Sequence, residues 1–226
     1  MNTSGGVVGG DRLEVQIGLD AGTHALVTTQ AAEKLYRSAG ATAQMATSLQ
    51  AGERAVLAWL PQETILFDRC RVERTIRADL HPTSTLLAAE MLVFGRLARG
   101  ERLRDAFLRE AWEVRVGGRL RWAERFKLEP PNEPLLDGLA GCGGAKALAT
   151  VVFAGPEAPA MLETARSTLR ATPGVRAGVT AVNGLLVGRW LAADPAALRR
   201  SLAHTLAAWR GALLRQPARL PRLWAI

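Results

Sequence analysis

The sequence predicts a mainly β protein of the α+β class, with about three helices appended to its sheets and the last of them at the C-terminus. Three observations carry this prediction. Apolar and polar residues alternate with period two over Arg12–Leu19 and Arg71–Leu80. Two dipeptides suited to tight primed turns, Gly117-Gly118 and Asn183-Gly184, are each flanked by alternating segments. One long stripe of helical period closes the chain.

Taken in order, the first strand puts Leu13, Val15, Ile17 and Leu19 on one face and Glu14, Gln16 and Gly18 on the other. Residues 55–60 are apolar on both parities, which predicts a strand covered on both sides. In Arg71–Leu80, Val72, Ile76, Ala78 and Leu80 point inward, and Arg74 breaks the inward row. His81-Pro82 stops that strand, and residues 83–97 change period: Leu87, Met91 and Phe94 fall on one helical face, so a helix is expected there, loosened by Gly95 and Gly100. Residues 110–116 and 119–126 then form a hairpin, with Trp112, Val114, Leu120 and Trp122 on its buried face. The Pro- and Gly-rich stretch 128–146 reads as a long loop or a subdomain join within a single domain spanning 1–226. Beyond it come a strand over 147–153, a helix over 156–171 ended by Pro173-Gly174, and a hairpin of 176–182 with 185–191. Asp194 caps and Pro195 opens a final helix carrying Leu198, Leu202, Leu206, Trp209 and Leu213 as one stripe.

A chain of 226 residues, 48% hydrophobic, can bury a sizeable core. No run approaches the ~20 apolar residues of a membrane span, and residues 1–10 lack the basic and apolar regions of a signal peptide, so no membrane association and a cytoplasmic location are expected. Cys70 and Cys142 are far apart and in no CxxC pattern, which predicts two reduced thiols. The net charge of +8 raises nucleic acid or an acidic protein as partners. The cations are nearly all Arg, scattered singly and without interleaved aromatics, which favours protein interfaces over nucleic acid.

Catalytic motifs are missing. There is no GxxxxGK[ST], HExxH or GxSxG, and His24, His81 and His204 stand at no ligand spacing. An enzyme reading is left with Asp11, Glu63 and His81 as a metal-dependent hydrolase, and a basic nucleic-acid-binding module is a third reading. Thr29, Gln30, Tyr36 and Arg37 suit either a hydrogen-bonded loop that pins two strands or a protein-facing surface, Tyr and Arg being enriched at binding hot spots. Pro61 removes a backbone donor and so ends strand pairing, which places Gln62 and Glu63 at a sheet corner or rim.

Six words of the sequence occur in unchanged order. They are Asn2-Thr3-Ser4-Gly5-Gly6 with Gly9-Gly10-Asp11-Arg12-Leu13; Thr28-Thr29-Gln30 through Tyr36-Arg37-Ser38; Trp59-Leu60-Pro61-Gln62-Glu63 through Phe67-Asp68; Glu90-Met91-Leu92-Val93-Phe94-Gly95-Arg96; Gly100-Glu101; and Leu220-Pro221-Arg222-Leu223-Trp224. With them the chain resembles the UreD (UreH) family of urease accessory proteins from its first residues to its last. The resemblance implies a helically wound or sandwich-like β architecture and a non-enzymatic scaffold. It also implies partners: accessory proteins of the UreF and UreG types, the latter a GTPase, together with apo-urease, into which nickel is inserted. Nickel would be in transit, with no cofactor stably bound. Asp11, Glu63, Asp68, Glu90 and Glu101 fall in the resembling words and are candidates to line the path, oxygen ligands being able to pass a hydrated divalent cation without trapping it. Each also suits a salt bridge or turn. Family members commonly carry strands ahead of the first word, so an N-terminal strand region is expected to be lacking and a sheet edge unpaired.

Overall fold

The computed structural model describes residues 5–224. Met1, the Asn2-Thr3-Ser4 start of the first word, Ala225 and Ile226 lie outside the described residues. The strands are β1 (Arg12–Leu19), β2 (His24–Val27), β3 (Glu33–Leu35), β4 (Ala43–Ala51), β5 (Val56–Trp59), β6 (Thr64–Leu66), β7 (Arg71–Leu80), β8 (Thr85–Phe94), β9 (Phe107–Val116) and β10 (Arg119–Leu128). Helix α1 (Glu133–Asp137), strand β11 (Ala147–Ala154), helix α2 (Leu162–Ser167), strands β12 (Val175–Val182) and β13 (Leu185–Ala192), and helix α3 (Pro195–Ala212) complete the chain.

The strands form two stacked sheets. One has the order β1-β4-β7-β9-β10; the other runs β12-β13-β11-β8-β5-β2, with β6 also on β8 and β3 on β6. Up to β9 the chain winds between them: β1 lies in the first sheet, β2 and β3 in the second, β4 back in the first, β5 and β6 in the second, β7 in the first, β8 in the second. Neighbours made this way are parallel, as β1 with β4, β4 with β7, β7 with β9 and β5 with β8 are. A parallel pair needs a crossover, and here strands of the opposite sheet supply it where α/β folds use a helix. The Gly117-Gly118 turn, with φ of 57° and 75°, ends the winding and makes β9 and β10 antiparallel.

The alternating segments are strands as predicted, and both hairpins form about their expected turns. The expected helix over 83–97 is instead β8, the central strand of the larger sheet. Its residues from Leu86 to Phe94 are all buried, because the first sheet covers one face and α3 the other. An apolar run buried on both sides has no period to distinguish strand from helix, and Leu87 and Met91, four apart, share a face in either. The helix expected over 156–171 is shorter: a 3-10 turn, Ala158–Met161, containing Pro159, precedes α2. In the first hairpin Leu120 is 49% exposed, against the expectation that it joins Trp122 inside. The register passes from Leu120↔Arg115 to Trp122↔Val114, so Arg121 is an extra residue, a bulge that reverses parity between the two.

Helix α3 behaves as predicted. The Asp194 side chain accepts the Ala196 N–H at 2.8 Å, and Leu198, Leu202, Leu206 and Trp209 pack on the outer face of the larger sheet against Ala149, Val151 and Phe153. The stretch 128–146 folds onto the end of the sandwich, where Leu136, Cys142 and Ala145 pack with Val72, Leu108 and Phe94. Both cysteines are free and buried. Among the described residues no helix is long and apolar enough to cross a membrane.

Candidate functional site

Between the sheets the core divides in two. One apolar cluster contains Ile76, Ala88, Trp112, Trp122, Val152 and Val187; the other contains Val72, Leu92 and Leu108, with Phe126, Leu148 and Leu191 against it. On each of these six strands the inward residue between the two clusters is polar: Arg74 on β7, Glu90 on β8, Glu110 on β9, Glu124 on β10, Thr150 on β11 and Arg189 on β13. The polar residues meet as a seam. Glu90 and Thr150 are register partners, as are Thr150 and Arg189. The Arg189 guanidinium bonds to the Thr150 hydroxyl and pairs with Glu124 across the sheets.

At the centre of the seam one guanidinium serves two carboxylates. Arg74 donates through Nη2 to Glu90 Oε2 at 2.7 Å and through Nη1 to Glu110 Oε2 at 2.8 Å. The other oxygen of each carboxylate accepts an indole N–H, Trp59 on Glu90 Oε1 at 2.9 Å and Trp112 on Glu110 Oε1 at 3.3 Å. The three charged side chains are only 7%, 3% and 4% exposed. Desolvation works against the Arg74 charge, but Glu90 and Glu110 outweigh it and hold the guanidinium protonated more firmly than usual. Burial pushes the Glu110 carboxyl above the ordinary carboxylate range, opposed by Arg74. Burial also lowers the Arg189 value, against the attraction of Glu110. Removing one member of such a group costs about 3–5 kcal/mol, whereas well-packed apolar replacements are often no worse.

Of the other residues singled out in the sequence, some form two further clusters and the rest hold turns or lie exposed. Glu63 pairs with Arg199 of α3, whose Nη2 also donates to Gln62 Oε1 at 2.6 Å and to the Leu223 carbonyl at 3.1 Å. That guanidinium lies 5.1 Å from the centre of the Trp224 ring. Glu63 is thus at a rim, as Pro61 predicts, and it has a cation of its own. Thr29 Oγ1 accepts the Gln62 N–H at 2.9 Å, so this threonine pins the loop to the rim, while Gln30 and Arg37 are exposed. Elsewhere the Tyr36 ring meets Phe67 edge-on at 4.9 Å, and its hydroxyl donates to the Gly5 carbonyl at 2.8 Å. Arg96 stacks on the same Phe67 and forms a bidentate pair with Glu101. Asp68 accepts the Arg104 and Asp105 N–H groups at 2.7 and 2.9 Å, and Asp11 accepts the Val8 N–H at 2.9 Å.

Of the five carboxylates predicted to line a cation path, only Glu90 lies in the seam; Asp11, Asp68 and Glu101 hold turns, and Glu63 holds Arg199. Among the described residues no group of three or more His, Cys, Asp and Glu side chains could hold a metal ion. The hydrolase set does not assemble. Asp11 precedes β1 at the end of the sheet where its carbonyl accepts the Gln44 N–H, and His81 follows β7 at the opposite end, where its N–H donates to the Ala51 carbonyl. The strand rise puts on the order of 25 Å between them. Along the chain Arg74 stands out as an interruption of its apolar row, whereas Glu110, Glu124, Thr150 and Arg189 are not among the residues the sequence singles out. The signal was present in each case as one polar residue between inward apolar neighbours.

A model of the UreD urease accessory protein family matches residues 1–225. The chain belongs to the UreD family. It is 47% identical over 225 residues to urease accessory protein UreD 2 of Methylorubrum populi, covering 99% of this chain and 74% of that one. It is 47% identical over 232 residues to a UreD of Magnetococcus marinus, covering 100% and 79%, and 41% identical over 226 residues to one of Azorhizobium caulinodans, covering 100% and 81%. These UreD relatives are named as urease accessory proteins, in keeping with the reading of the sequence as a non-enzyme. The wound, two-sheet β architecture agrees with what the resemblance implied.

Proposed function

We propose that this chain is a urease-maturation scaffold that binds accessory partners of the UreF and UreG types and apo-urease, and that it assists the passage of nickel to the urease active site from within the cytoplasm. The observation that carries the reading is the charged seam. Glu90, Glu110 and Glu124 present oxygen donors through an otherwise apolar interior, and hard oxygen ligands suit a divalent cation that must move on, where thiolate and imidazole would retain it. Glu63 lies at the rim and Glu90 inside. Arg37 and Gln30, exposed beside a loop pinned by Thr29 and Tyr36, are side chains of that word that a partner can reach.

Co-expression with a urease operon tests this. Glu90→Gln keeps the shape and leaves Arg74 paired with Glu110, so the accessory complex should still be recovered while the nickel content and activity of the matured urease fall several-fold. Glu63→Ala should act in the same direction. Full nickel loading in both variants would remove the seam and its rim from the path. Arg37→Ala should weaken co-purification of partners with no change in thermal unfolding.

A further inference from the structure

The seam has an unusual centre. A single guanidinium stands between two buried carboxylates, and each carboxylate is held from behind by an indole N–H. Trp59 and Trp112 come from opposite sheets and fix the orientation of Glu90 and Glu110, so neither carboxylate is free to swing toward solvent. Both therefore stay aimed at the volume the guanidinium fills. We propose that Arg74 is the built-in counter-cation of the seam: it occupies the point where Glu90 and Glu110 would otherwise retain a divalent metal ion, and so keeps the interior from becoming a metal trap. This rests on the transit reading above and adds a device that prevents retention.

The chemistry favours this. Two ionised carboxylates in a region a few per cent exposed demand a positive charge, and the protein supplies one covalently attached, planar and forked to reach both at once. A metal ion arriving at the pair must displace two charge-assisted hydrogen bonds before it gains two oxygen ligands, which flattens the well that would hold it. Without the guanidinium, the two Oε2 atoms face the same vacated volume with no attached cation between them, so a divalent ion can take its place as their counter-charge. Lysine would keep the charge and should keep the guard.

The test uses the purified chain with nickel chloride or cobalt chloride as the only added metal, read by equilibrium dialysis and by the visible spectrum of bound cobalt. Wild type and Arg74→Lys should retain neither ion at this site. Arg74→Met should bind one equivalent at least about tenfold more tightly than wild type, and the gain should vanish in Arg74→Met combined with Glu90→Gln and Glu110→Gln. A folded Arg74→Met protein that binds no more metal than wild type, or a gain that survives loss of both carboxylates, overturns the proposal. If Arg74→Met is unfolded without metal, recovery of its native circular dichroism with one equivalent of nickel or cobalt supports the proposal, and failure of both ions to restore it overturns it. The transit reading fails on a different measurement, the nickel content of urease matured with Glu90→Gln. A trap formed by Arg74→Met alongside normal loading in Glu90→Gln would leave this inference standing without a cation path.

Discussion

Trp224 donates its indole N–H to the carbonyl of Leu60 at 3.2 Å, joining the last described residue to the end of β5. Arg199 lies against the same ring and holds Glu63, Gln62 and the Leu223 carbonyl, so the end of the chain closes one rim of the larger sheet. The closing word of the sequence is therefore a structural clasp. Trp224→Ala should lower stability by about 3 kcal/mol, the usual cost of emptying a buried aromatic site. Trp224→Phe should recover most of that and fall short by about 1 kcal/mol for the lost hydrogen bond. Urea midpoints of the three proteins provide the check.

Glu101 gives the fold a pH dependence of known sign. The side-chain hydrogen bonds from Arg96, helped by the backbone N–H groups of Arg96 and Asp68, hold its carboxyl below the ordinary range. A depressed folded value contributes stability that is present above the unfolded value of about 4.3 and is lost as pH falls through the folded value. Glu101→Gln should be less stable than wild type by roughly 1 kcal/mol near neutrality, the partial exposure of the pair limiting the effect. The difference should shrink in thermal melts taken progressively further into acid. A difference that stays constant with pH would show that the ionised state of Glu101 is not what Arg96 stabilises.

The Cys70 thiol is pushed up to about 12, chiefly by burial and further by Asp68, and burial also raises the Cys142 thiol. Thiolate is the nucleophile, so neither cysteine should react with iodoacetamide in the native protein at neutral pH. Both should react at once in denaturant, as mass spectrometry would register.

The bulge at Arg121 makes Leu120 and Trp122 unequal. Leu120→Lys should change stability by less than about 0.5 kcal/mol, while Trp122→Ala, which empties a site packed 5.8 Å centre to centre against Trp112, should cost about 3 kcal/mol. Comparable costs at the two positions would mean that the strand is in regular register.

The charged seam was only partly visible along the chain. Arg74 broke an apolar row and Glu90 lay in a resembling word, but the residues that answer them come from β9, β10, β11 and β13. Which buried polar residues meet depends on which strands face one another, and alternation within one strand carries no information about that. The same limit explains Glu63, whose partner Arg199 lies 136 residues away, and Asp68, whose carboxylate caps a loop that follows two strands later.

What the sequence determined by itself was local: the period-two strands, the two primed turns, the capped last helix and the family to which its words belong. These follow from side-chain spacing and backbone preference within a few residues of each other. Tertiary structure decided that residues 85–94 are a strand, because burial on both faces erases the period that separates strand from helix. It also decided that the carboxylates divide into a guarded interior pair, a rim and turn anchors, because charge pairing in a core is set by the contact of segments distant in sequence, through distances no periodicity encodes.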